Sequence, residues 1–250
     1  EIYSDFLNHL LDNRQNDIEY ILDWTAISLQ SRNLTYLVTA GQEGVGKGIF
    51  GKILELLHGS DNYLAIGGQS IKKQFNSQFH GKTLIYINEI KDISGDLDEK
   101  VKLFNEDHME VEKKGIDSET LRNYANFYFS TNNLDAIKLS ENQRRYSFVD
   151  ITRTRFIFND TWKELYKSEN INALASFLFN REYNPKYIAT PYRSETTQFI
   201  QTVNDQDWQI YIKEELFTKY NGRNITISDL NKLLKFMGFK GITHARTKVY

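Results

Sequence analysis

The feature that most constrains this chain is a glycine loop set between two hydrophobic patterns of different period. Leu34 to Thr39 is a short apolar, β-rich run that leads straight into Gly41-Gln42-Glu43-Gly44-Val45-Gly46-Lys47. Ile49, Ile53, Leu54, Leu56 and Leu57 then recur at helical spacing as far as Gly59. A strand that turns through glycines into a helix builds an anion cradle. The glycines let consecutive N–H groups point inward, and the helix start adds the positive end of its dipole. The Lys47 ammonium is spaced to reach the β- and γ-phosphates of a nucleoside triphosphate, with Gly48 and Ile49 closing the contact stretch. The bland alternative is a glycine turn with a solvated lysine, and the flanking strand and helix count against it. The residue after the lysine, where a hydroxyl would hold Mg²⁺, is Gly48. That leaves the metal to water or to another residue.

The rest of the chain reads as α/β. Residues 1–30 have Phe6, Leu7, Leu10 and Leu11, then Ile18, Ile21, Leu22 and Ile27, near i, i+3, i+4 spacing, which predicts an N-terminal helical segment. Thr83–Ile87 and Asn126–Ser130 read as buried strands. Strands alternating with helices imply a mainly parallel sheet covered on both faces. Met109–Asp117 alternates apolar and charged residues and turns at Gly115, as a hairpin or long loop does. After about residue 155 the texture changes to helical stretches near 171–180, 195–203, 207–220 and 227–237, ending in a basic strand. That is compatible with a winged-helix tail. The expected division is 1–30, a core at 31–155, and a helix-rich region at 156–250.

Composition narrows the class further. A chain of 250 residues, 40% hydrophobic, can bury a sizeable core as one α/β domain with an appendage or as two small domains. It has no cysteine, which excludes disulfides, thiolate nucleophiles and Cys-ligated zinc. This fits an intracellular, cytoplasmic setting. No run of 18 or so apolar residues is long enough to span a membrane. The net charge of −2 advertises no broad basic face for duplex DNA, yet it leaves room for a ring in which a few cations per subunit converge on a strand. The chain lacks an initiator Met and stops abruptly at Tyr250, so a segment of a longer polypeptide is expected.

Four further signals follow the loop in order. Asn88-Glu89 ends the second apolar run, where one residue serves the Mg²⁺ shell and the next polarises the attacking water. Glu89 is the candidate base. Asn88, in place of an Asp, would accept from a metal-bound water through its amide oxygen. Asn132, at the exit of the third run, is placed to contact a γ-phosphate, though Ser-Thr-Asn-Asn is also an ordinary strand exit. Arg144 and Arg145 precede another apolar alternation; one of them can serve as a finger on a neighbour's γ-phosphate, or both can be surface arginines. Lys113-Lys114-Gly115 at a hairpin tip suits phosphate-backbone contact, or is a solvated lysine pair. The five histidines show no ligand spacing.

The segments GQEGVGKGIFGKIL, LIYINEI, MEVEKKGIDSETLRNYANFYFSTNN and NQRRYSFVDI, in this order, give the stretch from about Tyr20 to Ile151 its family character. It resembles the superfamily 3 helicase domain of phage, plasmid and mobile-element primase–helicases, related to the poxvirus-type enzymes. The resemblance implies a P-loop ATPase of the AAA+ class that uses ATP and Mg²⁺. It further implies a hexameric ring of identical subunits translocating 3′ to 5′ on single-stranded or forked DNA, with a primase or polymerase as partner. By motif position, Lys47 contacts phosphate, Glu89 activates water, and Asn132 senses the γ-phosphate. Arg144 or Arg145 acts in trans, and Lys113 and Lys114 grip DNA in the pore. Gly48 and Asn88 depart from the usual pattern at the metal. A P-loop kinase is the competing enzyme class, but no arginine-rich lid follows the helix. A ring or scaffold that binds ATP without unwinding DNA is the non-enzyme alternative.

Overall fold

The computed structural model describes residues 1–68, 77–90, 106–113, 116–132, 145–151, 154–157 and 159–194. The chain divides into two units, Glu1–Gln198 and Phe199–Tyr250. The expected winged-helix tail and the helices of 195–237 lie outside the described residues.

Five strands build the central sheet: β1 (Tyr36–Ala40), β2 (Tyr63–Gly67), β3 (Leu84–Asn88), β6 (Asn126–Thr131) and β7 (Tyr146–Asp150). Their order is β2-β3-β6-β1-β7, and every neighbouring pair is parallel. The α/β expectation with a mainly parallel sheet is therefore met. The apolar runs of β1 and β6 are buried along their whole length, as strands covered on both faces must be. β2 has no counterpart among the strands expected from the sequence. It is an edge strand, only half-buried, so its apolar run is short and mixed. Of the two readings of Met109–Asp117, hairpin or long loop, the strands favour the first: β4 (His108–Lys113) pairs antiparallel with β5 (Ile116–Arg122).

One face of the sheet carries Leu37, Leu84, Tyr86, Tyr128 and Val149 into a core shared with the helices. Tyr86 stacks on Tyr128 with ring centroids 4.6 Å apart, and Phe50 of α3 (Lys47–His58) meets Tyr128 edge-on at 5.3 Å. Tyr86 packs so close to α3 that a Cβ on Gly51 would lie 2.7 Å from its ring. Phe6, Leu7 and Leu10 of α1 (Ile2–Leu10) and Trp24 of α2 (Gln15–Gln30) join the same core. So do Leu165 and Ile171, the latter on α4 (Ser168–Phe179). The core thus draws residues from both sides of positions 30 and 155. Buried acids tie α2 to the segment after α4. Asp17 accepts from Arg14 at 2.6 Å and from the Tyr192 hydroxyl at 2.8 Å, and Asp23 accepts from Arg181 at 2.8 Å. Each charge is paired, as burial requires.

Candidate functional site

Because all five strands run the same way, their carboxyl ends share one edge of the sheet, where open α/β sheets bind ligands. The glycine loop leaves β1 there. Asn88 and Glu89 leave β3, and Asn132 leaves β6 on the strand between them. Neighbouring strands lie about 4.8 Å apart, which sets β3 about 10 Å from β1.

The loop is tied down from three sides. Gly41 N donates to Thr131 O at 3.1 Å, Ile151 N donates to Ala40 O at 2.8 Å, and Phe156 N donates to Gly44 O at 2.8 Å. Gly44 and Gly46 sit at φ +81° and +112°, in the left-handed region that glycine enters without a Cβ penalty. Gly46 caps α3, which begins at Lys47. Among the described residues no backbone carbonyl accepts from the N–H groups of 42–46, so those donors stay open for an anion. Lys47 curls back over the concavity, where its Nζ donates to the Gly41 and Gln42 carbonyls at 2.6 Å each. Burial pulls its pKa down to about 8, against the raising influence of Glu43 and Glu89. A phosphate entering the cradle would meet this ammonium and replace the two carbonyls as its partner.

On the β3 side, Glu89 is exposed and takes φ +55°, a left-handed conformation costing a non-glycine residue about 1 kcal/mol or more. Its neighbours hold it there. Gly68 N donates to Asn88 O at 2.8 Å, Ile90 N donates to Ser130 O at 3.0 Å, and Thr131 Oγ1 donates to Ile90 O at 2.7 Å. The backbone is pinned on both sides of Glu89, and its carboxylate is left facing solvent at the sheet edge.

Asn88 is held by two neighbouring hydroxyls. Its Oδ1 accepts from the Tyr86 hydroxyl at 3.0 Å and from Ser130 Oγ at 2.8 Å. The two hydroxyls also lie 2.9 Å from each other, so Asn88 Oδ1, Tyr86 and Ser130 share one hydrogen-bonded triangle beneath the sheet edge. Among the described residues no group of three or more His, Cys, Asp or Glu could hold a metal. Mg²⁺ commonly binds through one or two carboxylates together with substrate phosphates and waters. The Glu89 carboxylate fits such a role, whereas Gly48, with open space around its Cβ position, adds no ligand.

Of the remaining candidates, Arg145 and Lys113 lie among the described residues. Arg145 immediately precedes β7, and its carbonyl accepts from Tyr36 N at 2.7 Å. It therefore lies at the amino edge of the sheet. The five residues of β7, at about 3.3 Å each, separate that edge from the loop's edge by about 17 Å. Lys113 ends β4; Lys114, Gly115 and Arg144 fall outside the described residues. Tyr86, Ser130, Gly68 and the segment 154–157 also touch the site and were not among the residues expected there. Only the Gly67-Gly68 pair following an apolar run carried a signal for any of them.

The model of a family of unknown function, DUF5906, matches residues 39–145, from the last residues of β1 to the start of β7. The DNA primase-polymerase of Nitratiruptor phage NrS-1 is 20% identical over 157 residues. That alignment takes in 60% of this chain and 22% of the phage protein, so the chain spans about a fifth of this relative. An apo structure of the NrS-1 C-terminal region superposes with a TM-score of 0.70 at 16% identity, covering 95% of this chain and 62% of that one. A second apo structure of that region gives 0.72 at 15% identity, covering 97% and 68%. At these identities the likeness is one of fold. Among the described residues no helix is long and apolar enough to cross a membrane.

Proposed function

We propose that this chain is the ATP-hydrolysing motor part of a phage or mobile-element replication protein, an AAA+-class P-loop ATPase that moves on single-stranded DNA as a ring. The observation that carries this reading is the cradle itself. Unengaged loop N–H groups, the start of α3 and the Lys47 ammonium converge at the edge where Glu89 and Asn132 also emerge. Likeness to the C-terminal region of a phage primase-polymerase supports a place in DNA replication.

In this reading the loop N–H groups and Lys47 bind the β- and γ-phosphates. Glu89, held in place by its neighbours, orients and deprotonates the attacking water, and Asn132 hydrogen-bonds the γ-phosphate. Asn88, beside Glu89 at the same edge, accepts from a water of the Mg²⁺ shell. Bound Mg²⁺ would supply charge neutralisation across the phosphates, with Glu89 its protein partner through water. Arg145 lies too far from its own loop to serve it, so it or Arg144 acts on the nucleotide of an adjacent copy. The hairpin carrying Lys113, Lys114 and Gly115 contacts the DNA backbone.

A second reading, an ATP-binding scaffold with little turnover, draws on Gly48 and on the engaged Asn88 oxygen. One experiment separates them: ATP hydrolysis with and without single-stranded DNA, for the wild type, Lys47→Ala and Glu89→Gln. DNA-stimulated hydrolysis abolished in both variants supports the motor. Tight ATP binding with no turnover in the wild type would refute it in favour of the scaffold.

A further inference from the structure

We propose that Arg155 is a second cation of the nucleotide site, binding the sugar and α-phosphate end of the nucleotide. The proposal rests on the nucleotide-binding reading of the loop. Arg155 belongs to the stretch that leaves β7, and three contacts bring that stretch against the loop. Ile151 pairs with the end of β1, and its Cγ1 would lie 2.5 Å from a Cβ on Gly41. Phe156 N donates to Gly44 O at 2.8 Å. The position that a Cβ on Gly44 would occupy is 3.5 Å from both Cγ and Nε of Arg155.

The backbone at Arg155 is held here by its neighbour. Phe156 is 8% exposed, and its ring packs against Phe6 at 5.6 Å, His9 at 5.0 Å and Trp162 at 4.9 Å. Arg155 itself is exposed, so an anchored backbone presents a solvent-facing guanidinium at the tip of the phosphate loop. Guanidinium is always charged, and its planar fork matches phosphate oxygens.

The strand order decides which part of a nucleotide it meets. β6 and β3, carrying Asn132, Asn88 and Glu89, lie on one side of β1, and β7 lies on the other. A triphosphate whose γ-phosphate points toward β6 and β3 must run its α-phosphate and sugar toward β7. Arg155 follows β7, five residues after Asp150. Its contribution is therefore common to ATP and ADP, unlike a finger on the γ-phosphate.

The test is direct binding of fluorescent ATP and ADP, followed by anisotropy, to the wild type, Arg155→Ala, Arg155→Lys and Lys47→Ala. Arg155→Ala is expected to weaken both nucleotides alike, by about tenfold, the size of one charge-assisted hydrogen bond. Arg155→Lys should recover part of the loss, and Lys47→Ala should weaken ATP more than ADP. Thermal melts establish that each variant is folded, and Arg155→Gln is the second neutral variant if the alanine protein is not. Wild-type affinity in the folded neutral variant, or a loss confined to ATP, overturns the proposal. Failure of the wild type to bind either nucleotide is a different result, which overturns the loop reading and this proposal with it.

Discussion

Replacing Gly68 with alanine tests whether the exit of β2 holds Glu89 in place. A Cβ at Gly68 would lie 2.9 Å from Glu89 O, 3.2 Å from Ile90 Cα and 3.4 Å from Glu89 C. All three are backbone atoms, so no side chain can swing aside. Relieving the clash requires about 0.5 Å of separation, which stretches the 2.8 Å bond from Gly68 N to Asn88 O past the ordinary limit of about 3.2 Å. The loss combines about 1 kcal/mol for that bond with about 1–2 kcal/mol of overpacking. Against it stands about 0.5 kcal/mol gained by restricting the unfolded chain. The net cost is about 2 kcal/mol. The control is the adjacent Gly67→Ala, whose Cβ meets nothing within 4 Å and which should be neutral or slightly stabilising. Urea unfolding of the two variants side by side measures the difference directly. Hydrolysis in Gly68→Ala should fall further than ADP binding, since only the β3 side is displaced. Equal stability of the two variants would refute the claim that this contact fixes the Glu89 backbone.

Three other outcomes follow from single residues. Gly48→Ser enters open space in the first turn of α3, so it should raise stability by about 0.5 kcal/mol through helix propensity and lower the Mg²⁺ needed for half-maximal ATP binding; a thermal melt and a Mg²⁺ titration read both. The Lys47 pKa, lowered by burial to about 8, means that the empty loop loses its ammonium as pH rises through 8. A bound phosphate restores that charge, so ATP affinity should be flat below pH 8 and fall about tenfold per unit above it, a slope that Lys47→Arg removes. His58 sits between Ser28 Oγ at 3.2 Å and Thr83 Oγ1 at 2.9 Å, with burial lowering its pKa to about 4. The unfolded chain binds the extra proton between pH 6.5 and 4, so stability should drop by about 3 kcal/mol across that window, and the slope should vanish in a folded His58→Gln.

Much of this architecture was legible in the residues because the signals were local. The glycine loop needs only a strand before it and a helix after it, and both carry strong periodicity. The buried runs of β1, β3 and β6 are apolar on both faces, as a parallel sheet demands. β2 was not legible, since an edge strand is half-buried and its side chains have no strict pattern to keep. The orientation of Asn88 could not be read either. It is set by hydroxyls from Tyr86, two residues away, and from Ser130, 42 residues away, whose convergence exists only once β3 pairs with β6. Arg155 was invisible for the same reason. Its meaning comes from the return of the chain to Gly44, not from any spacing in the sequence.

The separation of Arg145 from the loop has a kinetic consequence. In one copy the cradle, Lys47 and Glu89 lie at the carboxyl edge of the sheet, while Arg145 stands about 17 Å away at the amino edge. No rearrangement of side chains spans that distance, because an arginine reaches only about half of it. If the finger is Arg144 or Arg145, a lone copy binds ATP with its full set of cis contacts but lacks the cation that stabilises the transition state, worth about a thousandfold or more in rate. Nucleotide affinity should then be independent of protein concentration, while hydrolysis per chain rises steeply as copies associate. Mixing the wild type with increasing Lys47→Ala protein distinguishes the two edges: each inactive chain still offers its arginine, so activity per wild-type chain should hold or rise. Mixing instead with a chain lacking both arginines should depress it. Identical responses to the two partners would show that the finger does not act across copies.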